Sequence, residues 1–96
     1  MVDERSIHIP YLRSVPVGSE IDRALDLIAR AKRPALVCGG GVHGSDAAED
    51  VTAFADRFNG LVVTSLSGKG SVPETKDYAA GILNPLGSWA AIELIK

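Results

Sequence analysis

Apolar and polar residues follow two rhythms along the chain, and the changes between them mark out its elements. Ile21, Ala24, Leu25, Ile28 and Ala31 recur at three- and four-residue spacing, which places them on one face of a helix. Ser19 stands in the N-cap place with Asp22 after it, while Arg30, Lys32 and Arg33 crowd the far end, where the helix dipole favours cations. Pro34 stops that helix. The next four residues, Ala35-Leu36-Val37-Cys38, are all apolar and run into Gly39-Gly40-Gly41. A short run with no polar position predicts a strand buried on both faces, as in a parallel sheet.

The helical rhythm then returns. Ser45 or Asp46 is placed to cap a second helix whose buried stripe is Ala47, Ala48, Val51, Phe54, Ala55 and Phe58. Asn59-Gly60 ends it, with Gly60 suited to the left-handed position after the helix. Leu61-Val62-Val63-Thr64 reads as a second buried strand, and a polar, glycine-rich loop follows over 65–74. Residues 75–87 resist assignment, although Tyr78 to Leu83 has the makings of a short buried segment. Ser88 caps a third helix that is apolar nearly all round, with Trp89, Ala90, Ala91, Ile92, Leu94 and Ile95. Such a helix needs cover on several sides.

Helix, strand, helix, strand, loop, helix is the order of an α/β, doubly wound, Rossmann-like parallel sheet with flanking helices. Two parallel strands alone leave long edges unpaired. The expectation is therefore a truncated sheet, with a third strand due where the sequence stops. Residues 1–18, broken by Pro10, Pro16 and Gly18, read as a linker or N-terminal arm, and 19–96 as a piece of a larger domain.

Composition narrows the function. With 96 residues the chain makes one small domain; 46% hydrophobic and 23% charged residues are ordinary for a globular protein. A net charge of −2 and the lack of a basic stripe exclude a nucleic-acid partner. No apolar stretch approaches the roughly 20 residues that cross a bilayer, so no membrane partner is expected. The start, Met1-Val2-Asp3-Glu4-Arg5, has no apolar core of a secretory signal, and the cytoplasm is the default compartment. The single cysteine, Cys38, has no partner within the chain for a disulfide and reads as a buried, inert thiol. His8 and His43 have no metal-ligand spacing with it or with any carboxylate.

Two stretches carry candidate chemistry. Gly39-Gly40-Gly41-Val42-His43-Gly44 follows a strand, opens a helix and fits G-x-G-x-x-G. Glycines let the backbone approach a phosphate, and amides at the helix start point outward. A standard NAD site also wants an acidic residue at the end of the second strand, where Thr64 stands. Asp46, Glu49 and Asp50 would also repel a phosphate. Two readings of the turn stand: a tight strand-to-helix connection, and a less standard nucleotide contact. Ser65-Leu66-Ser67-Gly68-Lys69-Gly70 leaves the carboxyl end of the second strand, where open α/β sheets bind ligands, and Lys69 between two glycines is free to reach an anion. The Walker A spacing is not met, and no nucleophile elbow surrounds Ser45 or Ser88.

In order and spacing these stretches resemble the central domain of thiamine diphosphate (TPP)-dependent enzymes of the acetolactate synthase, pyruvate oxidase and benzoylformate decarboxylase group. Lys32-Arg33-Pro34 precedes the first strand and Gly39-Gly40-Gly41 follows it. Residues 62–74 are similar to that family's "V-V-T-[ST]-L-x-G-K-G-x-[FV]-P-E", and Tyr78 to Gly87 is similar to its "Y-x-G-x-x-G-x-x-G". The resemblance implies a parent enzyme that binds thiamine diphosphate and Mg²⁺ and decarboxylates or joins 2-keto acids as a homo-oligomer. The glutamate that activates thiamine and the Gly-Asp-Gly metal motif belong to the two flanking domains, so no catalytic residue is assigned here. In FAD-containing members this domain holds the flavin nucleotide, and carrying those contacts over gives Gly39, Gly40, Gly41, Ser65, Leu66, Ser67, Gly81 and Gly87. Flavin-type members tend to read "G-M-H-G-[ST]" where this chain has Asn84-Pro85-Leu86-Gly87-Ser88, and an asparagine of the next helix is Ile92 here. FAD and a cofactor-free scaffold are thus both open. So are two alternatives outside the family: a stand-alone nucleotide-binding or assembly module whose sheet is completed by oligomerisation, and an interaction domain using the helix at 88–95.

Overall fold

A computed structural model describes residues 14–96. The elements, in chain order, are α1 (Gly18–Arg30), β1 (Ala35–Cys38), α2 (Gly41–Gly44), α3 (Ala48–Arg57), β2 (Leu61–Thr64), β3 (Ala79–Ile82) and α4 (Trp89–Ile95). The strands form one parallel sheet in the order β1-β2-β3. Ala35 pairs with Leu61 and Cys38 with Thr64, so both strands point their carboxyl ends, and the loops that leave them, at one edge. This is the α/β Rossmann-like arrangement the periodicities predicted. Among the described residues, no helix is long and apolar enough to cross a membrane.

The third strand lies inside the sequence rather than past its end. Ala79–Ile82 pairs with β2 through a connection with no helix of its own, with an irregular register between Val62 and Thr64. The segment was hard to read because Ala79, Ala80 and Gly81 carry little β-propensity; they are a strand because β2 offers them a ladder. Central β2 is the buried strand. Val62 and Val63 point to opposite faces and are 2% and 0% exposed. Burying such a side chain stabilises by about 1.5–3 kcal/mol. Cys38, Ala55, Val62 and Val72 form a core cluster, with Leu36, Val42, Val51 and Tyr78 packed against it.

Strand β1 does not fit the expectation of burial on both faces. It is an edge strand, and Ala35 and Val37 are exposed on the face away from Cys38. The apolar stripe of α1 is uncovered as well: no residue of α1 is buried, and Ile21 and Leu25 face solvent. Helix α4 likewise leaves Trp89, Leu94 and Ile95 exposed, although Ala91 is fully buried. The stripe predicted for the second helix also thins out: Ala55 and Phe58 are buried, whereas Phe54 is exposed.

Three end signals differ from those the sequence suggested. Ser19 lies inside α1, whose N-cap is Val17 without a side-chain bond. Neither Ser45 nor Asp46 caps α3: Ser45 ends the turn α2, Asp46 takes φ 53°, and Ala47 is the N-cap. Asn59, at φ 39°, takes the left-handed position expected of Gly60, a region asparagine enters more readily than most residues. Ser88 does cap α4, its hydroxyl accepting the Ala91 amide at 3.4 Å. The arm assigned to 1–18, with Ile7, Ile9, Tyr11 and His8, falls largely outside the described residues, and helix begins at Gly18.

Cys38 is 3% exposed and free. Burial pushes its thiol above the ordinary value, with a partly opposing contribution from the Ser71 hydroxyl beside it. The protonated thiol is thus favoured in the folded state. Its contribution to stability is complete below the unfolded thiol pKa and is lost as pH rises through the folded one. Two outcomes are expected: iodoacetamide labels Cys38 slowly at pH 8 until urea unfolds the chain, and the urea midpoint falls above about pH 9.

Candidate functional site

The edge where β1 and β2 end is organised by the loop 65–71. The Ser65 amide donates to the Cys38 carbonyl at 2.9 Å, which turns the loop over the β1 exit. The Ser65 hydroxyl then accepts the Gly68 amide at 3.1 Å and lies 3.3 Å from the Ser67 hydroxyl. Gly68 rests against the Cys38 carbonyl with no room for a Cβ. A Cβ on Gly40 would come within 3.1 Å of the Ser67 side chain. The first glycine turn and the serine loop are therefore packed on one another, and the glycines at 40 and 68 are what lets the backbones approach.

Gly41 is different: a Cβ there meets nothing within 4 Å, and the residue opens α2. Gly41→Ala is expected to leave stability unchanged or raise it by about 0.5 kcal/mol, because alanine restricts the unfolded chain. Thermal melting measures this, and a loss of more than about 1 kcal/mol would mean that the turn is tighter than its geometry.

On the other side of the loop a cleft of about 430 Å³ opens between Lys69, Glu74, β3 and the turn before α4. Gly81, at φ +92°, and Gly87 line it together with Ser88. The Leu83 amide donates to the Thr64 carbonyl at 2.7 Å and the Ser88 amide to the Ile82 carbonyl at 3.0 Å, which fixes the wall to the sheet. The Asn84 side chain accepts the Leu86 amide at 2.9 Å and closes the 84–87 turn, leaving Leu86 almost fully exposed. Among the described residues neither Lys69 nor Glu74 forms an ion pair through its side chain. The cleft thus sets a lysine and a carboxylate beside glycine backbone and a hydroxyl: Lys69, the backbone and the hydroxyl suit an anionic group such as a phosphate, and Glu74 opposes one.

The start of β3 is tied down separately. Asp56 on α3 accepts from Lys76 and from the Tyr78 hydroxyl, each at 2.9 Å. Those two bonds, the Lys76 one first, hold the Asp56 carboxyl below the usual carboxylate range.

The eight residues carried over from the resemblance fall into two groups. Gly39, Gly40, Ser65 and Ser67 gather where the loop packs on the β1 exit, with Leu66 projecting outward and Gly41 open beside them. Gly81 and Gly87 line the cleft beyond. Lys69 belongs between the groups and was visible in sequence as a lysine flanked by glycines. Two residues were read differently: Ser88 is both helix cap and cleft wall, and His43 binds the loop, its Nε2 2.9 Å from the Lys69 carbonyl. No spacing rule signals that last contact.

The sequence model described as the thiamine pyrophosphate enzyme central domain matches residues 21–96. The chain is 38% identical over 88 residues to the acetolactate synthase large subunit of Corynebacterium glutamicum, a match covering 90% of this chain and 14% of that protein. Against the acetolactate synthase large subunit of Buchnera aphidicola it is 38% identical over 72 residues, 75% of the chain and 13% of the relative. It is 33% identical over 84 residues to the 3D-(3,5/4)-trihydroxycyclohexane-1,2-dione hydrolase of Clostridium perfringens, 88% of the chain and 13% of the relative. The chain spans roughly an eighth to a seventh of the length of these relatives.

Proposed function

Because the chain belongs to the thiamine pyrophosphate enzyme family, as a stretch of its central domain, we propose that it is part of an enzyme that uses thiamine diphosphate and Mg²⁺ to act on 2-keto acids by decarboxylation or carboligation. The acetolactate synthase large subunits among its relatives favour that substrate class. Thiamine diphosphate supplies, when bound, a sink for the carbanion formed next to a carbonyl. Among the described residues no group of three or more His, Cys, Asp or Glu gathers to hold a metal. We assign the Mg²⁺-diphosphate centre to the flanking domains that the family resemblance implies. The chain's own part is that of scaffold and spacer.

Its second role is to hold a nucleotide at the cleft between Lys69 and the Gly81–Ser88 wall. The observation that carries this is the alignment of the two strand exits at one edge, with glycine backbone and Lys69, which forms no side-chain ion pair among the described residues, around an open space. Lys69, Gly81, Gly87 and Ser88 fit the diphosphate that FAD and ADP share. The remaining domains of the same polypeptide and further copies in a homo-oligomer are the partners this reading assigns. The uncovered apolar residues of α1, β1 and α4 support contacts of that kind. The compartment is the cytoplasm, where reduction keeps a lone thiol such as Cys38 free.

Two measurements on the full-length protein test this. Incubation with pyruvate, thiamine diphosphate and Mg²⁺ is expected to release CO₂ or form acetolactate; no turnover across a panel of 2-keto acids would overturn the catalytic reading. FAD or ADP is expected to raise the melting midpoint, since a ligand at 100 times its Kd stabilises the folded state by about 2.7 kcal/mol. An unmoved midpoint with both would leave the scaffold role alone.

A further inference from the structure

We propose that His43 is a positioning residue for that nucleotide cleft, holding Lys69 in place through the backbone carbonyl of the lysine. This rests on the nucleotide reading for its ligand and on the geometry of the loop for its mechanism.

His43 stands on α2, on the β1 side of the edge, while Lys69 belongs to the loop that leaves β2. The imidazole Nε2 lies 2.9 Å from the Lys69 carbonyl oxygen. A carbonyl only accepts, so Nε2 must carry the proton. The bond spans the gap between the two strand exits and falls between Gly68, which packs on the Cys38 carbonyl, and Ser71. The Lys69 amide reaches the Leu66 carbonyl only at 3.4 Å, and Gly70, at φ +82° with open space around it, is a pivot. Upstream the loop is fixed at Ser65 by its bond to Cys38, and downstream the Ser71 amide bonds the Gly68 carbonyl at 3.1 Å. Between these anchors, the carbonyl of Lys69 is held from outside the loop by His43 alone among the described residues. Fixing that carbonyl fixes the direction in which the Lys69 stem leaves the backbone, and Lys69 lines the cleft. A pre-placed cation spares the ligand the cost of ordering it.

The bond needs a donor at position 43, and the test varies that donor. In the full-length protein, ADP binding is compared by calorimetry for the natural sequence, His43→Leu, which keeps bulk without a donor, and His43→Gln, whose amide can donate. We expect His43→Leu to weaken ADP about fivefold, the size of one net hydrogen bond of about 1 kcal/mol, and His43→Gln to restore most of it. Equal affinities for all three proteins would overturn the proposal.

Hydrogen exchange of the loop amides without ligand separates the two readings. Faster exchange over 66–70 in His43→Leu, with natural rates in His43→Gln, supports the latch even if ADP binds none of the proteins, a result that removes the nucleotide reading alone. Unchanged exchange in His43→Leu overturns the latch.

Discussion

Gly68→Ala is expected to cost about 3 kcal/mol, the upper part of the range for forcing a methyl into a filled space. A Cβ at this position would run into the carbonyl oxygen of Cys38 and lie 2.8 Å from its carbon and 3.0 Å from the carbonyl carbon of Gly39. The obstacle is backbone on the neighbouring strand, not the end of a flexible side chain. The Cys38 carbonyl cannot swing aside freely, because it accepts the Ser65 amide that starts the loop. Either that bond breaks and the loop lifts off the β1 exit, or β1 shifts against β2. Both routes loosen the cluster of Cys38, Val62, Val72 and Ala55. Urea denaturation should show a lower midpoint with an unchanged slope, the mark of lost stability without a change in the surface exposed. A midpoint within about 0.5 kcal/mol of the natural chain would mean that the loop does not pack on the strand exit. Nucleotide binding should fall as well, because the same loop carries Lys69.

What the sequence made legible follows from which forces are local. Strand runs such as Leu61 to Thr64 and the turn glycines announce themselves, because burial and backbone sterics act on each residue in place. The fold class, both outer helices and the edge that bears the glycine exits were therefore readable. Strand β3 was not, since Ala79–Ile82 acquires its state from pairing with β2, a partner remote in sequence. The exposure of Val37 and of the α1 stripe was not readable either: periodicity shows that a face needs cover but not what covers it. Of the candidate site, the glycine turn at 39–44 and the loop at 65–70 with Lys69 stood out as exits from strands, and Gly81 and Gly87 came only with the resemblance. The contact of His43 with a carbonyl 26 positions away in the chain leaves no local trace. The shift of the left-handed turn from Gly60 to Asn59 has a similar origin. Gly60 faces the Pro34 carbonyl, where a Cβ would lie 2.5 Å away, so close approach rather than backbone sign places a glycine there.

Gly81→Ala should cost about as much as the change at Gly68, by a different sum of causes. At φ +92° the backbone occupies a region that L-residues enter at a cost of about 1–2 kcal/mol. An added Cβ would also come within 2.8 Å of the Ser88 Cβ and 3.1 Å of its hydroxyl. Ser88 has to move, and its hydroxyl is the N-cap of α4, worth typically about 1 kcal/mol. Gly70→Ala is the control. Gly70 has φ +82° but nothing within 4 Å, so it carries the backbone cost alone, at about 1 kcal/mol. The difference of roughly 2 kcal/mol between the two variants measures the packing of β3 against the α4 cap. If both variants melt together, that packing is absent and the cleft wall is not built as described. If Gly81→Ala is the weaker protein and also loses nucleotide, while Gly70→Ala keeps its affinity, the wall and not the pivot shapes the cleft. Loss of affinity in Gly70→Ala alone would instead place the ligand's demand on the pivot that lets His43 hold Lys69.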